Sequence, residues 1–400
     1  MDRFGDKICC NPTVKLKKQE SYPVIDIDKI TPGYKAVRSV ASIEYTGQGG
    51  AKFQDHDVLF ARITPCLENG KMAIADTEGQ NGIGSTELFV FRGIDGVSDT
   101  DYVYYLLCMK HIRQLAANSM TGASGRQRAD LDFIKRIQWD FPDIEMQKKI
   151  ASVLSAYDNL IEVNNKRIDF LEQIAKNLYK EWFVRFRFPG HETAEFENGI
   201  PEGWAYRRAD EVIDFNPTLK TGNQTEFTII PMEALSTNSM VLDSGCFVRQ
   251  DSISGRRSQN GDTLLAKITP CLENGKTGFV MGMPENEVLG GSTEFVVMRS
   301  KALTPHYVYC IARSYYFRQT AILSMNGADG RQRVDEDKLK STKILQPEKT
   351  VLDHFETIVT PIFDGVYQMV QENKNLIQQR DLLLPRLMSG KLEVQYALND

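Results

Sequence analysis

Two seven-residue segments hold the densest grouping of side chains able to grip another molecule. They are Gly122-Ala123-Ser124-Gly125-Arg126-Gln127-Arg128 and Gly327-Ala328-Asp329-Gly330-Arg331-Gln332-Arg333. Each sets two guanidinium groups around a carboxamide on a glycine-flanked turn. A guanidinium offers paired N–H donors to a phosphate or to guanine, and a carboxamide matches adenine in the same bidentate way. The plainer alternative is that one arginine is held by a nearby acid such as Asp130 or Asp335. Because both segments end in the same Gly-Arg-Gln-Arg, a shared role in phosphate positioning or loop architecture fits better than base choice.

Other fragments resemble catalytic motifs and fail on inspection. Gly275-Lys276-Thr277 ends like a phosphate-binding loop, but Pro270 stands where that motif needs its earlier glycine. The matching Gly70-Lys71-Met72 also lacks the hydroxyl that would hold magnesium. Asn11-Pro12-Thr13 and Asn216-Pro217-Thr218 lack the second proline and the aromatic of the Asn-Pro-Pro-Tyr motif with which amino-methyltransferases grip a flipped adenine. A turn is the better account of both. There is no G-x-S-x-G elbow, no His-plus-carboxylate pattern repeated in both copies, and no pair of the five histidines at ligand spacing, so neither a catalytic site nor a metal site is expected. Glu68-Asn69-Gly70-Lys71 and Glu273-Asn274-Gly275-Lys276 read as tight Asn-Gly hairpin turns. Lys71 and Lys276 then remain candidates for a phosphate contact.

These groups sit in a duplicated frame. Arg62-Ile63-Thr64-Pro65-Cys66-Leu67-Glu68-Asn69-Gly70-Lys71 returns as Lys267-Ile268-Thr269-Pro270-Cys271-Leu272-Glu273-Asn274-Gly275-Lys276, 205 residues later. Gly84-Ser85-Thr86-Glu87 returns as Gly291-Ser292-Thr293-Glu294, and Asp57 as Asp262. Such a period is far too long for a solenoid, whose repeats run roughly 20–50 residues, so a whole domain is repeated. Between the shared blocks the copies diverge, most of all over 14–56 against 219–261. Two sites of one kind that read different things would look like this. Base-reading candidates in those segments are Gln48, Lys52 and Gln54 in the first copy, with Arg249, Arg256, Arg257, Gln259 and Asn260 in the second.

The positioning elements follow from periodicity. Strands are predicted over 22–27, 57–62 and 88–92, and over 227–230, 263–267 and 294–298, with helices over 100–118 and 304–322. Each globule is therefore α/β (α+β), with a mostly antiparallel or mixed sheet. A long helix is predicted over 146–183, with Ile150, Tyr157, Leu171 and Leu178 on one heptad line and Leu154, Ile161, Ile168 and Trp182 beside it. Asn164 falls on the first line, where it either fixes register in a seam or faces solvent. A second long helix begins near Val351, with Phe355, Ile362, Met369, Leu376 and Leu383 aligned. Each stripe needs a partner, so the helices are expected to pack as an antiparallel coiled coil, with the globules at opposite ends and a pseudo-two-fold axis between them. The expected division is 1–145, 146–183, 184–347 and 348–400.

Bulk properties bound the class. No apolar run approaches the ~18 residues of a membrane span, and Met1-Asp2-Arg3-Phe4-Gly5-Asp6-Lys7 lacks the apolar core of a signal peptide. Seven cysteines with no C-x-x-C pair argue against a disulfide framework or zinc and point to the cytoplasm. The net charge of −5 is unusual for a chain that grips DNA, since phosphate neutralisation supplies much of that affinity.

The whole pattern resembles the specificity (S) subunit of type I restriction-modification systems. The likeness rests on the repeated blocks together with Lys180-Glu181-Trp182-Phe183-Val184-Arg185-Phe186-Arg187-Phe188 and Leu384-Pro385-Arg386-Leu387-Met388-Ser389-Gly390-Lys391-Leu392. One departure is His56-Asp57, where the second copy keeps Gly261-Asp262, which places an altered turn at His56. The resemblance implies a non-catalytic chain whose two target-recognition domains each read half of a bipartite site on double-stranded DNA. It implies helices that set the spacer and dock two methyltransferase (M) subunits, with Tyr157, Trp182, Phe183, Leu384 and Leu387 as candidate contacts. Two restriction (R) subunits complete the complex. S-adenosylmethionine then belongs to M, ATP and Mg to R, and no cofactor to this chain. Clasping of the DNA by M would also offset the unfavourable net charge. If the helices are a ruler, four residues inserted after Asn165 should lengthen the tolerated spacer and leave both half-sites unchanged, read by mapping methylated adenines; altered half-sites would refute that division of labour.

Overall fold

A computed structural model describes residues 1–123, 125–328 and 330–393. The chain divides within its two long helices. One unit is Met1–Val163 with the chain from Asn373 onward, and the other is Asn164–Glu372. Each unit thus owns part of both helices, where the sequence suggested separate helical segments.

In the first unit, Ile8–Cys10, Leu88–Gly93, Val58–Ala61, Met72–Asp76 and Ala36–Arg38 form one sheet in that order. All its pairs are antiparallel except the last. Ser42–Glu44, Ser21–Ile25, Gly82–Gly84 and Ala51–Phe53 form a second, with a parallel central pair. Val58–Ala61 is buried on both faces, and its side chains alternate between two cores. Val58 and Phe60 join the helices, while Leu59 and Ala61 pack with Ile25 and Phe53 of the second sheet.

The second unit repeats this plan. Ile213–Phe215, Phe295–Ser300, Thr263–Ala266 and Thr277–Phe279 form its main sheet, and Val248–Gln250, Phe227–Ile230, Leu289–Gly291 and Arg256–Ser258 its second. Leu265, Val296 and Met298 face one core; Leu264, Phe295 and Val297 face the other. The helices expected over 100–118 and 304–322 are each broken in two, into Thr100–Cys108 with Lys110–Asn118 and Pro305–Arg313 with Tyr315–Leu323. The breaks are extended residues, Met109 and Ser314, and the Ser314 hydroxyl accepts from the Phe317 N–H to start the next helix.

The long helices run Ile144–Tyr179, continuing as a π-turn over Lys180–Val184, and Lys349–Met388. Within each unit the two pair antiparallel. In the first, Ile150, Ala151 and Leu154 share a core with Leu384, Leu387 and Met388, and Asp158 is ion-paired to Arg380. In the second, Asn164 donates to Glu372 at 3.0 Å, and Trp182 meets Phe355 with ring centroids 5.9 Å apart. Asn164 is 1% exposed, which resolves its position in favour of the seam. On the first helix the deeply buried heptad line is the second of the two read in sequence, and on the second helix it is a different line from the one read. These lines are Leu154, Ile161, Ile168, Ala175 and Trp182 on the first helix, and Leu352, Val359, Val366, Asn373 and Leu387 on the second. Ile362, Met369, Leu376 and Leu383 are only half-buried, flanking a line that polar Asn373 had disguised.

His56 holds φ +68° where Gly261 holds +85°, so the turn is kept and the left-handed strain is accepted. Its imidazole lies 3.3 Å from Asp101, whose other oxygen is 2.6 Å from Lys35. The Asp101 bond raises the His56 pKa. Burial works against the Asp101 charge, but His56 and Lys35 outweigh it and hold that carboxyl at about 2. A raised imidazole contributes stability that is complete below its unfolded value near 6.5 and is lost as pH rises through its folded value. His56→Gly should therefore stabilise the protein by ~1 kcal/mol at pH 9, where only strain is relieved, and by less at pH 5.5. Thermal melts at the two pH values test this; equal shifts would show that the pair contributes nothing.

Candidate nucleic-acid interface

Three blocks that lie far apart in the first copy meet at one junction. The Gln127 carbonyl accepts from both the backbone N–H (3.0 Å) and the hydroxyl (3.3 Å) of Thr64. The Ala129 N–H donates to the Arg62 carbonyl at 2.8 Å. Arg128 clasps Glu87 with two parallel bonds of 2.8 and 2.6 Å. In the second unit Gln332, Thr269, Val334 and Lys267 repeat the backbone bonds, and Arg333 clasps Glu294. The guanidinium bonds depress both carboxyl pKa values. One arginine of each pair is thus held by an acid, and that acid is the glutamate of Gly-Ser-Thr-Glu. Asp130 and Asp335 instead accept backbone N–H groups at the start of the next helix.

The Asn-Gly-Lys segments close wider turns rather than two-residue hairpins. Gly70 N–H donates to the Leu67 carbonyl and Lys71 N–H to that of Cys66, which is a Schellman closure on a single helical turn; Gly275 and Lys276 do the same with Leu272 and Cys271. Gly70 holds φ +73°, and a Cβ there would lie 2.1 Å from the Arg113 guanidinium. The Lys71 and Lys276 ammonium groups donate to the carbonyls of Ile27 (3.0 Å) and Met232 (3.1 Å), tying the turn to the second sheet.

The remaining candidates separate by what they already hold. Gln48 spends its amide on Thr46 and the Glu44 carbonyl, and Lys52 donates to the Tyr45 hydroxyl at 2.6 Å. Arg249 pairs with Glu287, Arg256 with Glu336, Arg257 binds the Leu219 carbonyl, and Asn260 bonds Met283. Arg126 and Arg331 are exposed with no side-chain partner among the described residues, and the Gln54, Gln127, Gln259 and Gln332 carboxamides likewise have none. Ser124 lies outside the described residues. An open groove of about 850 Å³ in the first unit is lined by Lys15, Lys17, Tyr22, Lys52, Gln80 and Asn81. Of these only Lys52 was singled out from sequence, although the run Lys15-Leu16-Lys17-Lys18 was a signal.

The proposed partner contacts need correction. Trp182 and Phe183 lie in the core of the second unit, and Leu384 and Leu387 in that of the first, each no more than 8% exposed; Tyr157 is half-buried. The apolar side chains that the long helices expose are others, including Leu160, Val163 and Leu382 in the first unit and Phe170 and Ile174 in the second.

The two α/β units are thus built on one junction, with divergent outer segments. A family model described as type I restriction modification DNA specificity domain matches residues 8–173. The chain is 25% identical over 319 residues to the type I restriction enzyme MjaIX specificity subunit of Methanocaldococcus jannaschii, covering 76% of this chain and 72% of that protein. It is 23% identical to the MjaVIII specificity subunit of the same organism, covering 98% and 92%. Its fold is that of the type I restriction-modification S subunit from M. genitalium, with a TM-score of 0.54 at 14% identity over 96% and 94% of the two chains. The chain is thus similar, in part of its sequence and in its fold, to specificity subunits of type I restriction-modification systems. No helix among the described residues is long and apolar enough to cross a membrane.

The junction separates architecture from reach. Arg128→Ala and Arg333→Ala should each lower stability slightly, because each removes a two-bond but exposed ion pair. Arg126→Ala and Arg331→Ala should leave it unchanged. Chemical denaturation of the four variants reads this, and equal losses in all four would undo the distinction.

Proposed function

We propose that each unit reads one half of a bipartite, asymmetric site on double-stranded DNA. The Arg-Gln-Arg loops touch the backbone in both halves, while the divergent segments choose the bases. Arg126 and Arg331, with donors to spare, are the first candidates for phosphate contact. The groove beside Lys15, Tyr22 and Gln80 is the candidate base-reading surface of the first unit. The long helices set the spacer and, through their exposed apolar side chains, dock two methyltransferase subunits; two restriction subunits complete a complex acting in the cytoplasm. S-adenosylmethionine is held by the methyltransferase, ATP and Mg by the restriction subunit, and neither by this chain.

One observation carries this reading: the same backbone junction and the same Arg–Glu clasp are built twice, beneath outer segments that differ. A protein reading one signal twice would need no such divergence. A scaffold that binds only proteins is the rival.

Expressing the chain with its neighbouring methyltransferase and mapping methylated adenines across the host genome decides between them. The expected result is one bipartite motif with a fixed gap, lost when this gene is deleted. Methylation that persists unchanged after deletion would favour the scaffold.

A further inference from the structure

The two junctions differ at one point, and the difference has the form of a missing ligand. In the second unit the Glu336 carboxylate accepts from Asn216 Nδ2 (2.8 Å), Lys267 Nζ (3.0 Å) and Arg256 Nη2 (2.7 Å). The residues at the matching positions of the first unit are Leu131, Asn11, Arg62 and Ala51. The acceptor has gone, together with one of its three donors, and the other two donors remain. Asn11 is fixed as Asn216 is: both lie in the left-handed region and both accept from the neighbouring strand, at Val90 and Val297. That bond uses the Asn11 oxygen and leaves its Nδ2 without a partner among the described residues.

Arg62 is held in place for a contact that nothing in the first unit supplies. Its guanidinium lies over the Phe89 ring, 4.8 Å from the centroid. Its Nε is closed to water and has no hydrogen-bond partner. A desolvated, unpaired donor of this kind costs about 1–3 kcal/mol unless an acceptor arrives. Asn11, Arg62, Phe89, Thr121, Arg128 and Leu131 line a recess of about 430 Å³ around it. Two acids border the recess and are already engaged, Asp130 on the Asp132 N–H and Glu87 on Arg128. Arg128 donates to Glu87 through Nε and Nη2, which leaves Nη1 available.

We propose that this recess takes one oxyanion, a phosphodiester of the bound DNA, with Asn11, Arg62 and Arg128 as its donors, while the second unit fills the same place with its own Glu336. The ligand's oxygens take the part of the Glu336 carboxylate. The two units then grip DNA unequally, the first with one phosphate more than the second. This rests on the two-half-site reading above and adds to it a specific backbone contact.

The test is Leu131→Glu, which gives the first unit the carboxylate of the second. Both positions open a short helix, Leu131–Arg136 and Glu336–Ser341, where an acid suits the helix dipole, so the variant should fold. Assembled with its methyltransferase, it should bind the mapped duplex roughly fivefold more weakly at 0.15 M salt, the worth of one phosphate contact. The slope of log affinity against log salt should be shallower by about 0.9, and the methylated motif should not change. Arg62→Gln should give the same two shifts, which covers the case of a misfolded Leu131→Glu. In a scan of single methylphosphonate replacements, one position at one half-site should weaken the wild type and leave Leu131→Glu unaffected. Wild-type affinity and salt slope in both variants would overturn the recess alone. A wild-type complex with no preference for its mapped duplex would instead overturn the two-half-site reading.

Discussion

A carboxylate almost sealed from water fixes the register on which each unit depends. Asp57 and Asp262 are 1% exposed. Each accepts two bonds from an arginine on the adjacent strand, Arg92 or Arg299, and one from a backbone N–H at the turn before its own strand. At the far end of the same ladder, Arg62 N–H meets the Glu87 carbonyl and Lys267 N–H that of Glu294. A slip of one residue would break both ends and send each side chain into the wrong one of the two cores. Burial still raises the Asp262 pKa despite the guanidinium, so desolvation outweighs pairing there. A buried ion pair on those terms is better explained by the register it specifies than by stability it adds. The candidate site is placed by the same ladder, since Arg62, Glu87 and the loop they hold lie at its end.

The sequence was legible wherever one local pattern decided the outcome. Short continuous apolar runs gave Val58–Ala61 and Phe295–Ser300 within a residue or two, and the shared blocks gave the duplication. Contacts across long loops were not legible. Nothing local says that Glu87 rather than Asp130 holds Arg128, because Asp130 is nearer in sequence and its engagement at a helix start appears only in three dimensions. The seam of the second helix was misplaced for a related reason. A heptad line is sought among apolar residues, and the true line runs through Asn373 while Pro361 and Gly365 interrupt the helical pattern. Most candidate base readers were chosen by side-chain type, which cannot distinguish a free guanidinium from one that braces its own loop.

That distinction bears on the net charge of −5. Of the arginines and lysines first singled out, Arg128, Arg249, Arg256 and Arg333 each face a carboxylate of this chain, and Lys71 and Lys276 a carbonyl. Internal pairing turns positive side chains into architecture and leaves few for phosphate, so affinity must come from a small number of well-placed contacts or from a partner. Divergence between the copies has respected the same accounting: Arg256 and Glu336 are absent together from the first unit, where Ala51 and Leu131 stand. Removing the acid alone would have left an unpaired guanidinium, and removing the arginine alone would have weakened the hold on the acid.

The helix pairs obey the rule in another form. The first unit places the Asp158–Arg380 pair in its seam, with the Tyr105 hydroxyl donating to the same carboxylate, and the second places Asn164 against Glu372. Apolar residues of similar volume would pack in either seam at several registers. A polar pair satisfies its bonds at only one, and misalignment leaves a buried charge or amide without a partner. In the proposed role of the helices as a ruler, an error of one turn, about 5.4 Å, exceeds the 3.4 Å rise of a DNA base pair. Seams made only of leucine and valine would hold such helices together without fixing their length. The buried polar pairs supply that second requirement.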